Sequence, residues 1–270
     1  MSIVITGASG KLGTLILNQL LHKVPMNQNI ACVRSRETAR PYEELGITVR
    51  YCDYDRPDSL ESAFAGASKL LFISSSHPDD SIRMRQHTQV IEAAKKSKVE
   101  QLLYTSFAFP EKGSIPLPHL HLATEHAIQA TGIPYTFLRN ALYIDFIDTL
   151  DLKTAIERGE LRVPPGDWLF NSIPRQDIAL AAAAVLAEPG HLNKTYELTA
   201  SSPWSFSDLT AAMAELARKP ISLQEDATIQ NWIYGFLRKI DASSTSNDLE
   251  QLIGRPSTSL KESIKPFISL

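Results

Sequence analysis

The sequence predicts an α/β fold, a doubly wound parallel sheet covered by helices on both faces, with a smaller C-terminal lobe. Short apolar strands alternate with helical segments as far as Arg139, which is typical of a parallel sheet with crossover helices. The first strand also runs into a glycine-rich turn that opens a helix. After Arg139 the alternation stops, and the changed pattern predicts a second lobe.

The first strand leads into a loop with glycines at positions 7, 10 and 13, followed by a helix predicted over 11–23. In this arrangement Gly7 allows the tight turn, Gly10 lets backbone N–H groups approach a pyrophosphate, and Gly13 lets the helix pack closely on the sheet. The helix N-terminus carries partial positive charge. The loop therefore predicts a Rossmann fold that binds a dinucleotide, with Lys11 as a further phosphate contact.

The second strand, predicted over 29–34, indicates which dinucleotide is bound. An NAD site places an acidic residue at the end of this strand, whereas this chain has Arg34, followed by Arg36. A guanidinium suits the additional 2′-phosphate of NADP(H). We therefore expect NADP(H) to be preferred over NAD(H), the alternative being that both arginines form a solvated strand end. Asp53, after the third strand, is expected to hold the adenine edge.

The remaining strands complete the predicted sheet. Strands are predicted over 48–52, 69–74, 101–105 and 135–138, and helices over 37–45, 58–64 and 79–96. Ligands of open parallel sheets lie beyond the carboxyl ends of the strands. The strand ends at Ser74, Ser106 and Asn140 are therefore expected to border the crevice. Arg139 is expected to contact the cofactor or the substrate, the alternative being a buried structural arginine that pairs with a carboxylate such as Asp177.

The segment after Arg139 is interpreted as a substrate-binding lobe. The expected elements are a helix over 142–157, a turn at 164–166, strands over 168–173 and 195–199, helices over 177–187 and 205–218, and helical pieces over 229–270. We expect residues 1–150 to form the NADP(H)-binding Rossmann domain and residues 151–270 the substrate lobe, the two sharing one continuous fold.

The amino-acid composition limits which binding partners and which cellular location are expected for the protein. Among 270 residues, 43% are hydrophobic and the formal net charge is −3, so one large core is expected and nothing favours nucleic acid or an anionic membrane as a partner. The first residues do not read as a signal peptide and no apolar run has membrane-spanning length, so a cytoplasmic location is expected. Cys32 and Cys52 lie in predicted strands and are interpreted as buried core residues.

The usual catalytic pair of a short-chain dehydrogenase is a tyrosine with a lysine four residues later on one helix face, where the lysine lowers the tyrosine pKa. None of the eight tyrosines has a lysine at that spacing. Tyr135 and Tyr234 have arginine there, but Tyr135 lies in a predicted strand, where this spacing does not align side chains. An orthodox alcohol dehydrogenase is therefore disfavoured.

Three histidines and a glutamate lie where that catalytic helix would begin, in the segment 116–126. Their spacing lacks the pattern of a metal site, so no metal is expected. His121 and Glu125, one helical turn apart, are interpreted as a pocket wall and proton relay, with satisfied structural histidines as the alternative. The chain also lacks the Gly-x-Ser-x-Gly motif of a hydrolase.

Several motifs resemble the NmrA-like branch of the atypical short-chain dehydrogenases, especially triphenylmethane reductases and type 2 NAD(P)H:quinone oxidoreductases. The resemblance extends over essentially the whole chain. It is carried by the motifs Val4-Ile-Thr-Gly-Ala-Ser-Gly-Lys-Leu-Gly13, Cys32-Val-Arg34, Asp53-Tyr54, Lys69-Leu-Leu-Phe-Ile-Ser74, His119-Leu-His-Leu-Ala-Thr-Glu125, Pro134-Tyr-Thr-Phe-Leu-Arg-Asn-Ala-Leu-Tyr143 and Asn193-Lys-Thr-Tyr196.

This resemblance implies an enzyme that transfers hydride from NADPH to a quinone-like or triphenylmethane-dye-like acceptor. A cationic dye is neutralised by hydride alone, and a quinone delocalises the resulting charge, so neither needs a dedicated protein acid. The family also contains members that bind the dinucleotide as a sensor, so the alternative is a non-catalytic NADP(H)-binding redox sensor with a protein partner. A nucleotide-sugar epimerase or dehydratase is disfavoured, because that chemistry normally uses the missing tyrosine–lysine pair.

The predicted site residues fall into three groups. The catalytic candidates are His121 and Tyr143. The expected cofactor contacts are Thr6, Gly7, Ala8, Ser9, Gly10, Lys11, Leu12, Gly13, Arg34, Asp53, Ile73, Ser74, Ser75, Leu138, Arg139, Asn140 and Tyr143. The expected wall of an apolar acceptor pocket is Phe107, Phe109, His119, Leu142, Phe146 and Trp168. We expect a small aromatic acceptor as the partner molecule and a monomer or homodimer.

Overall fold

The computed structural model describes residues 2–268. The strands are β1 (Ile3–Ile5), β2 (Asn29–Val33), β3 (Thr48–Tyr51), β4 (Lys69–Phe72), β5 (Gln101–Phe107), β6 (Tyr135–Asn140), β7 (Leu142–Tyr143), β8 (Glu160–Val163), β9 (Leu169–Phe170), β10 (Ser172–Ile173), β11 (Lys194–Leu198), β12 (Trp204–Ser205) and β13 (Ser222–Glu225).

The α-helices connect and cover these strands. They are α1 (Lys11–Leu20), α2 (Arg36–Glu44), α3 (Pro57–Phe64), α4 (Asp80–Lys96), α5 (Pro116–Ala130), α6 (Leu152–Arg158), α7 (Arg175–Ala187), α8 (Phe206–Ala217), α9 (Trp232–Leu237), α10 (Asp248–Ile253) and α11 (Leu260–Ile268). Short 3-10 helices span Met26–Gln28, Pro110–Lys112 and Ile144–Leu150.

The main sheet is parallel and has the strand order β11-β6-β5-β4-β1-β2-β3. The chain moves outward from β1 to β3, returns to the other side of β1 with β4, and moves outward again. This reversal confirms the predicted doubly wound α/β fold. It also locates the ligand crevice outside the carboxyl ends of β1 and β4, where the two halves of the sheet diverge.

Alternating side chains of the strands supply two separate cores. Ile3 and Ile5 of β1 face a cluster that includes Ile16 of α1 and Ile178 of α7. Val4 faces the opposite cluster, which is formed with residues of α3, α4 and α5. Because both faces of the sheet are covered, its strands are near-continuously apolar.

The C-terminal lobe has its own apolar core. It is rich in aromatic side chains, and Phe170 packs against Trp204 and Phe206 with ring centroids 4.8 and 4.9 Å apart. Three short two-stranded sheets, β7 with β10, β9 with β12 and β8 with β13, form around it. In the part of the chain that the structure describes, no helix is long and apolar enough to cross a membrane.

The proposed boundary near residue 150 stays a prediction. Two elements beyond it, α7 and β11, belong to the sheet layer, since α7 packs on α1 and β11 pairs with β6. The chain therefore crosses from sheet to lobe and back. Cys32 and Cys52 are free and buried, as expected for core residues.

The helix predicted over 142–157 is wrong in its first half. Leu142 and Tyr143 instead pair with β10, a 3-10 helix follows, and Asp151 at φ +49° separates it from α6. Tertiary pairing thus overrides the local helical pattern. The strand predicted over 168–173 is split into β9 and β10 at Asn171, whose amide hydrogen-bonds the backbone of Ala200.

Three strands of the lobe, β8, β12 and β13, were not predicted. The exposed strand β13 pairs with β8, and both contain charged or polar residues that obscure an apolar pattern. The helical pieces predicted over 229–270 are α9, α10 and α11, except that Ser269 and Leu270 lie outside the described residues.

Candidate active site

The glycine loop after β1 is shaped so that only glycine fits at its key positions. Gly7 has φ +59°, in the left-handed region that favours glycine. A Cβ on Gly13 would lie 2.2 Å from the carbonyl oxygen of Gly7, which is backbone and cannot rotate away. The loop and the first turn of α1 are therefore in the close contact that the sequence predicts for a dinucleotide-binding turn.

The N-terminus of α1 has the properties of an anion site. In the described chain, no side chain caps this helix, and its first turn contains no acidic residue. The first backbone N–H groups and the positive end of the helix dipole are thus left for a ligand. Ser9, Gly10 and Lys11 are exposed beside it, whereas Leu12 is buried in the core. This cradle fits the pyrophosphate of a dinucleotide.

Two tyrosines that sequence reasoning missed hold the loop in place. The Tyr42 hydroxyl of α2 donates to the carbonyl of Ala8 at 2.8 Å, and the Tyr54 hydroxyl contacts the Thr6 hydroxyl at 2.5 Å. Thr6 is fully buried, donates to the Leu71 carbonyl and accepts from the Ile73 N–H, so its side chain fastens β1 to β4.

Arg34 lies on the surface directly after β2. Within residues 2–268, no carboxylate forms an ion pair with it, so its guanidinium is available to a phosphate. Ser35 caps α2 by accepting from the Thr38 N–H at 3.3 Å, which fixes the backbone beside Arg34. Asp53 is half-buried, and its carboxylate accepts from the Asp55 N–H at 3.0 Å.

The carboxyl end of β4 is held by side chains of α4 and β5. The Ser74 N–H donates to the Thr105 hydroxyl at 2.9 Å, and the Ser75 N–H donates to Nε2 of His87 at 3.0 Å. The Ser75 hydroxyl donates to Gln86 at 2.5 Å. These bonds leave the strand end little freedom, so it forms a rigid border of the crevice.

A buried histidine lies beneath this border. Burial, and then the charge of Arg83, lower the pKa of His87 to about 3. The neutral ring accepts from the Ser75 N–H through Nε2, so Nδ1 carries the proton and donates to the Thr124 hydroxyl at 2.9 Å. His87 therefore has a fixed structural role that the sequence did not reveal.

The catalytic candidate His121 lies in the same buried network. Burial, and then the charges of Arg83 and His87, hold its pKa well below the ordinary value. Arg83, which only donates, lies 3.4 Å from Nε2 of His121, so Nδ1 carries the proton and donates to the Tyr104 hydroxyl at 2.7 Å. Both ring nitrogens are engaged at neutral pH, and the ring has no proton aimed at the crevice.

Arg139 is a buried arginine that binds three carboxylates. It pairs with Glu125 in a bidentate manner at 2.9 and 2.7 Å, with Glu197 at 2.9 Å and with Glu111 at 2.9 Å. The alternative of a structural arginine paired with carboxylates is thus what the structure shows, but Asp177, the example named for it, is not a partner, because it is buried on α7 and pairs with Arg255 at 2.6 Å.

The network around Arg139 also separates Glu125 from His121. Glu125 accepts from Arg139 and from the Ser106 hydroxyl at 2.5 Å, whereas His121 contacts Tyr104 and Arg83. The two residues lie one turn apart on α5 but have different partners.

Asn140 and Tyr143 stand at the carboxyl end of β6. The Asn140 amide donates to the Tyr143 hydroxyl at 3.3 Å, while its Oδ1 is buried and has no hydrogen-bond partner within residues 2–268. The guanidinium of Arg175 lies 4.2 Å from the centre of the Tyr143 ring, and burial raises the pKa of Tyr143. The orphaned amide oxygen marks a position where a ligand can supply a donor, whereas Leu138 is buried in the core.

A cleft of about 400 Å³ lies beside this segment and the start of α1. Lys11 and Arg175 contribute cations to it, Asp145 and Glu262 contribute carboxylates, and Phe267 of α11 contributes an apolar wall. Its position shows that the last helix approaches the glycine loop, which the sequence did not indicate.

The six residues expected to form an acceptor pocket do not all meet. Phe107, Leu142 and Trp168 pack against the lobe core that contains Phe146. The two remaining residues lie elsewhere: His119 is exposed in a groove between α4 and α5, and Phe109 belongs to the loop after β5. Within residues 2–268, no group of three or more His, Cys, Asp or Glu side chains is arranged to hold a metal ion.

A family model described as NAD(P)H-binding matches residues 7–189, more than half of the chain. The chain belongs to this NAD(P)H-binding family. Its match covers the glycine loop, the strand ends of the crevice and α7, the elements that form the cradle described above.

Comparison with individual proteins shows which members of the family this chain resembles. Quinone oxidoreductase 2 of Escherichia coli K12 is 34% identical over 99% of both chains. An NmrA-like family domain-containing oxidoreductase of Aspergillus flavus is 30% identical over 83% of this chain and 74% of its own. The crystal structure of Citrobacter sp. triphenylmethane reductase complexed with NADP(H) is 43% identical, with a TM-score of 0.91 over 99% of this chain and 100% of that chain. These similarities confirm the family resemblance predicted from the sequence.

Proposed function

We propose that this protein is an NADPH-dependent reductase that transfers hydride directly to a quinone-like or triphenylmethane-dye-like acceptor. The observation that carries the proposal is an uncapped glycine-loop cradle next to strand ends whose buried histidines, His87 and His121, are uncharged at neutral pH and have both ring nitrogens engaged within the protein. Such a site supports hydride transfer to acceptors that need no protein acid.

The residues of the cradle account for the cofactor. The pyrophosphate fits at the N-terminus of α1, where Lys11 adds a positive charge. Arg34 is exposed after β2 and has no carboxylate partner in the described chain, which supports its binding a 2′-phosphate, the group that NADPH has and NADH lacks. The NADP(H) in the related Citrobacter structure supports this preference.

The protein's contribution to the chemistry is orientation of the reacting groups. Bound NADPH supplies the hydride. Strand ends fixed by Thr105, His87 and Arg139 hold the crevice rigid, so that reacting groups meet without reorganisation of the protein. With a cationic dye, the hydride forms the central C–H bond and neutralises the cation. With a quinone, the reduced oxygen takes a proton from water, which completes the hydroquinone.

The names of two relatives support this acceptor class. The Escherichia coli relative is a quinone oxidoreductase, and the Citrobacter relative is a triphenylmethane reductase. Both kinds of acceptor are conjugated ring systems that delocalise or cancel charge after hydride addition. A carbonyl acceptor, by contrast, gives an alkoxide that needs a nearby acid, and both ring nitrogens of His121 are already engaged by Tyr104 and Arg83.

A spectrophotometric assay tests the proposal. Purified protein is mixed with NADPH and either menadione or malachite green, and absorbance at 340 nm or the dye colour is followed over time. We expect oxidation of NADPH and bleaching of the dye, with NADH a poorer donor. NADPH binding by calorimetry without any acceptor reduction would refute the reductase and favour the redox sensor, and binding that differs between NADPH and NADP⁺ would then support sensing.

A further inference from the structure

The loop between β5 and α5 is held in an unusual conformation. Phe109 has φ +45° and ψ +52°, a left-handed backbone that bulky side chains rarely adopt. Such conformations cost energy and persist only where the surroundings impose them, which is common at functional sites. Phe109 lies two residues beyond the carboxyl end of β5, on the side of the sheet where the crevice opens.

A single buried carboxylate binds this backbone. Oε2 of Glu197, on β11, accepts from the Phe109 N–H at 3.0 Å, and Oε1 accepts from Arg139 at 2.9 Å. Glu197 is largely buried, and burial raises its pKa even though both donors oppose that change. A buried carboxylate is costly unless its oxygens are bonded, so the arginine and the loop amide stabilise it together.

The ring of Phe109 is fixed from one side. Nζ of Lys112 lies 5.0 Å from the ring centre and is itself anchored to Asp241 at 3.0 Å and to the Ser244 hydroxyl at 2.7 Å. The ring is only half-buried. One face is therefore covered by a tethered cation, and the remaining exposed surface is presented by a backbone that cannot relax.

We propose that Phe109 is the ring against which an aromatic acceptor packs, and that Glu197 is the positioning residue that holds it there. The inference rests on the proposed function. It adds Phe109 as a specificity-determining residue and Glu197 as the residue that positions Phe109. Glu197 comes from β11, 88 residues after Phe109, so its role depends on the strand pairing that brings β11 beside β6.

Binding of malachite green to the NADP⁺-loaded protein tests the inference without turnover. The Phe109→Asn variant removes the ring but keeps a residue that tolerates the left-handed backbone, and Phe109→Tyr keeps the ring. We expect the dye dissociation constant to rise roughly 3- to 10-fold in Phe109→Asn, the range expected for a lost aromatic contact, and to stay unchanged in Phe109→Tyr. NADP⁺ affinity should be equal in all three proteins.

A double-mutant cycle tests the positioning role of Glu197. Glu197→Ala should weaken dye binding in the wild-type background but not in the Phe109→Asn background, since it acts through the ring. Additive effects, or a dye affinity that neither single change alters, would overturn the inference. If Glu197→Ala unfolds, Glu197→Gln serves in the same cycle.

The assay for acceptor reduction separates the two proposals. Dye binding that follows the cycle without any turnover would refute the reductase and retain the packing role of Phe109. Turnover in the wild type with no effect of either variant on dye affinity would do the opposite.

Discussion

The two halves of the crevice are built in opposite ways. Around the glycine loop, Lys11 and Arg34 are exposed, and the N-terminus of α1 has no side-chain cap within residues 2–268. Around the ends of β4, β5 and β6, the polar side chains are buried and bonded to one another, as in the pairing of Arg139 with Glu125 and Glu197. The charged groups of the first half have no protein partners among the described residues, whereas most polar groups of the second half are already bonded, with Oδ1 of Asn140 as an exception.

This difference separates recognition from preorganisation. Charged groups that lack protein partners gain most from a bound phosphate, so the glycine-loop half should dominate affinity for the cofactor. Groups that are already paired gain little from a ligand but hold the strand ends still. Substitutions in the first half should therefore change binding more than stability, and those in the second half stability more than binding.

Arg139→Met should give the largest loss of stability. It leaves the buried carboxylate of Glu125 without its bidentate partner, which costs about 3–5 kcal/mol of unfolding free energy. Arg162→Met is the matched control, because Arg162 pairs with Glu160 on the surface and should matter by less than ~1 kcal/mol. Urea unfolding measures both, and equal losses would contradict the buried role of Arg139.

Gly13→Ala should lower both the stability of the fold and the affinity for NADPH. Its Cβ would lie 2.2 Å from the Gly7 carbonyl, so α1 or the loop must move, at a cost of about 3 kcal/mol. NADPH binding should be lost with the cradle. Gly235→Ala is the control, because a Cβ there meets no atom within 4 Å and should leave cofactor binding intact. Normal NADPH affinity in Gly13→Ala, by calorimetry, would refute the cradle.

Arg34→Ala should weaken NADPH binding by ~1.5–3 kcal/mol, through loss of a charge-assisted phosphate contact, while NADH binding changes little. Arg40→Ala controls for charge alone, since Arg40 is exposed on α2, the helix that follows Arg34, but pairs with Glu44 at 2.7 Å. Calorimetric titration of each variant with NADPH and with NADH measures the two affinities. An equal loss for NADPH and NADH would mean that Arg34 does not contact the 2′-phosphate.

Because His87 is buried with a lowered pKa, we expect the free energy of unfolding to fall in acid. The pKa of His87 is about 3 in the folded protein and 6.5 ordinarily, so between these values the unfolded chain binds the additional proton. Stability is then complete above pH 6.5 and falls by about 1.4 kcal/mol per pH unit below it. The advantage of wild type over His87→Gln should shrink accordingly from pH 6.5 to pH 5 in urea unfolding, and a constant advantage would contradict this assignment.

The sequence predicted the glycine-loop half of the crevice, because its residues lie close together in the chain. The three glycines and Arg34 lie within one β-α-β unit, and their spacing alone indicates the turn and the ligand charge. The other half depends on partners far apart in the chain, such as Arg139 with Glu197, 58 residues later, and Ser74 with Thr105, 31 residues later. No local pattern signals these pairings, so Tyr54, His87 and Glu197 were missed.

The lobe shows the same limit. The helix predicted over 142–157 has a suitable local pattern, but Leu142 and Tyr143 pair with β10 instead. Strand β13 carries no apolar alternation and exists because β8 pairs with it. The helices α7 and α8, with strong local signals, were predicted to within two residues of their observed bounds.

Deuterium transfer tests the central claim most directly. NADPH labelled with deuterium at C4 of the nicotinamide, prepared separately in each of its two stereochemical forms, is incubated with malachite green, and the colourless product is analysed by mass spectrometry. Direct hydride transfer predicts one deuterium at the central carbon from one of the two forms and none when only the solvent is deuterated. A product that takes this hydrogen from solvent, or from neither form of NADPH, would contradict the account.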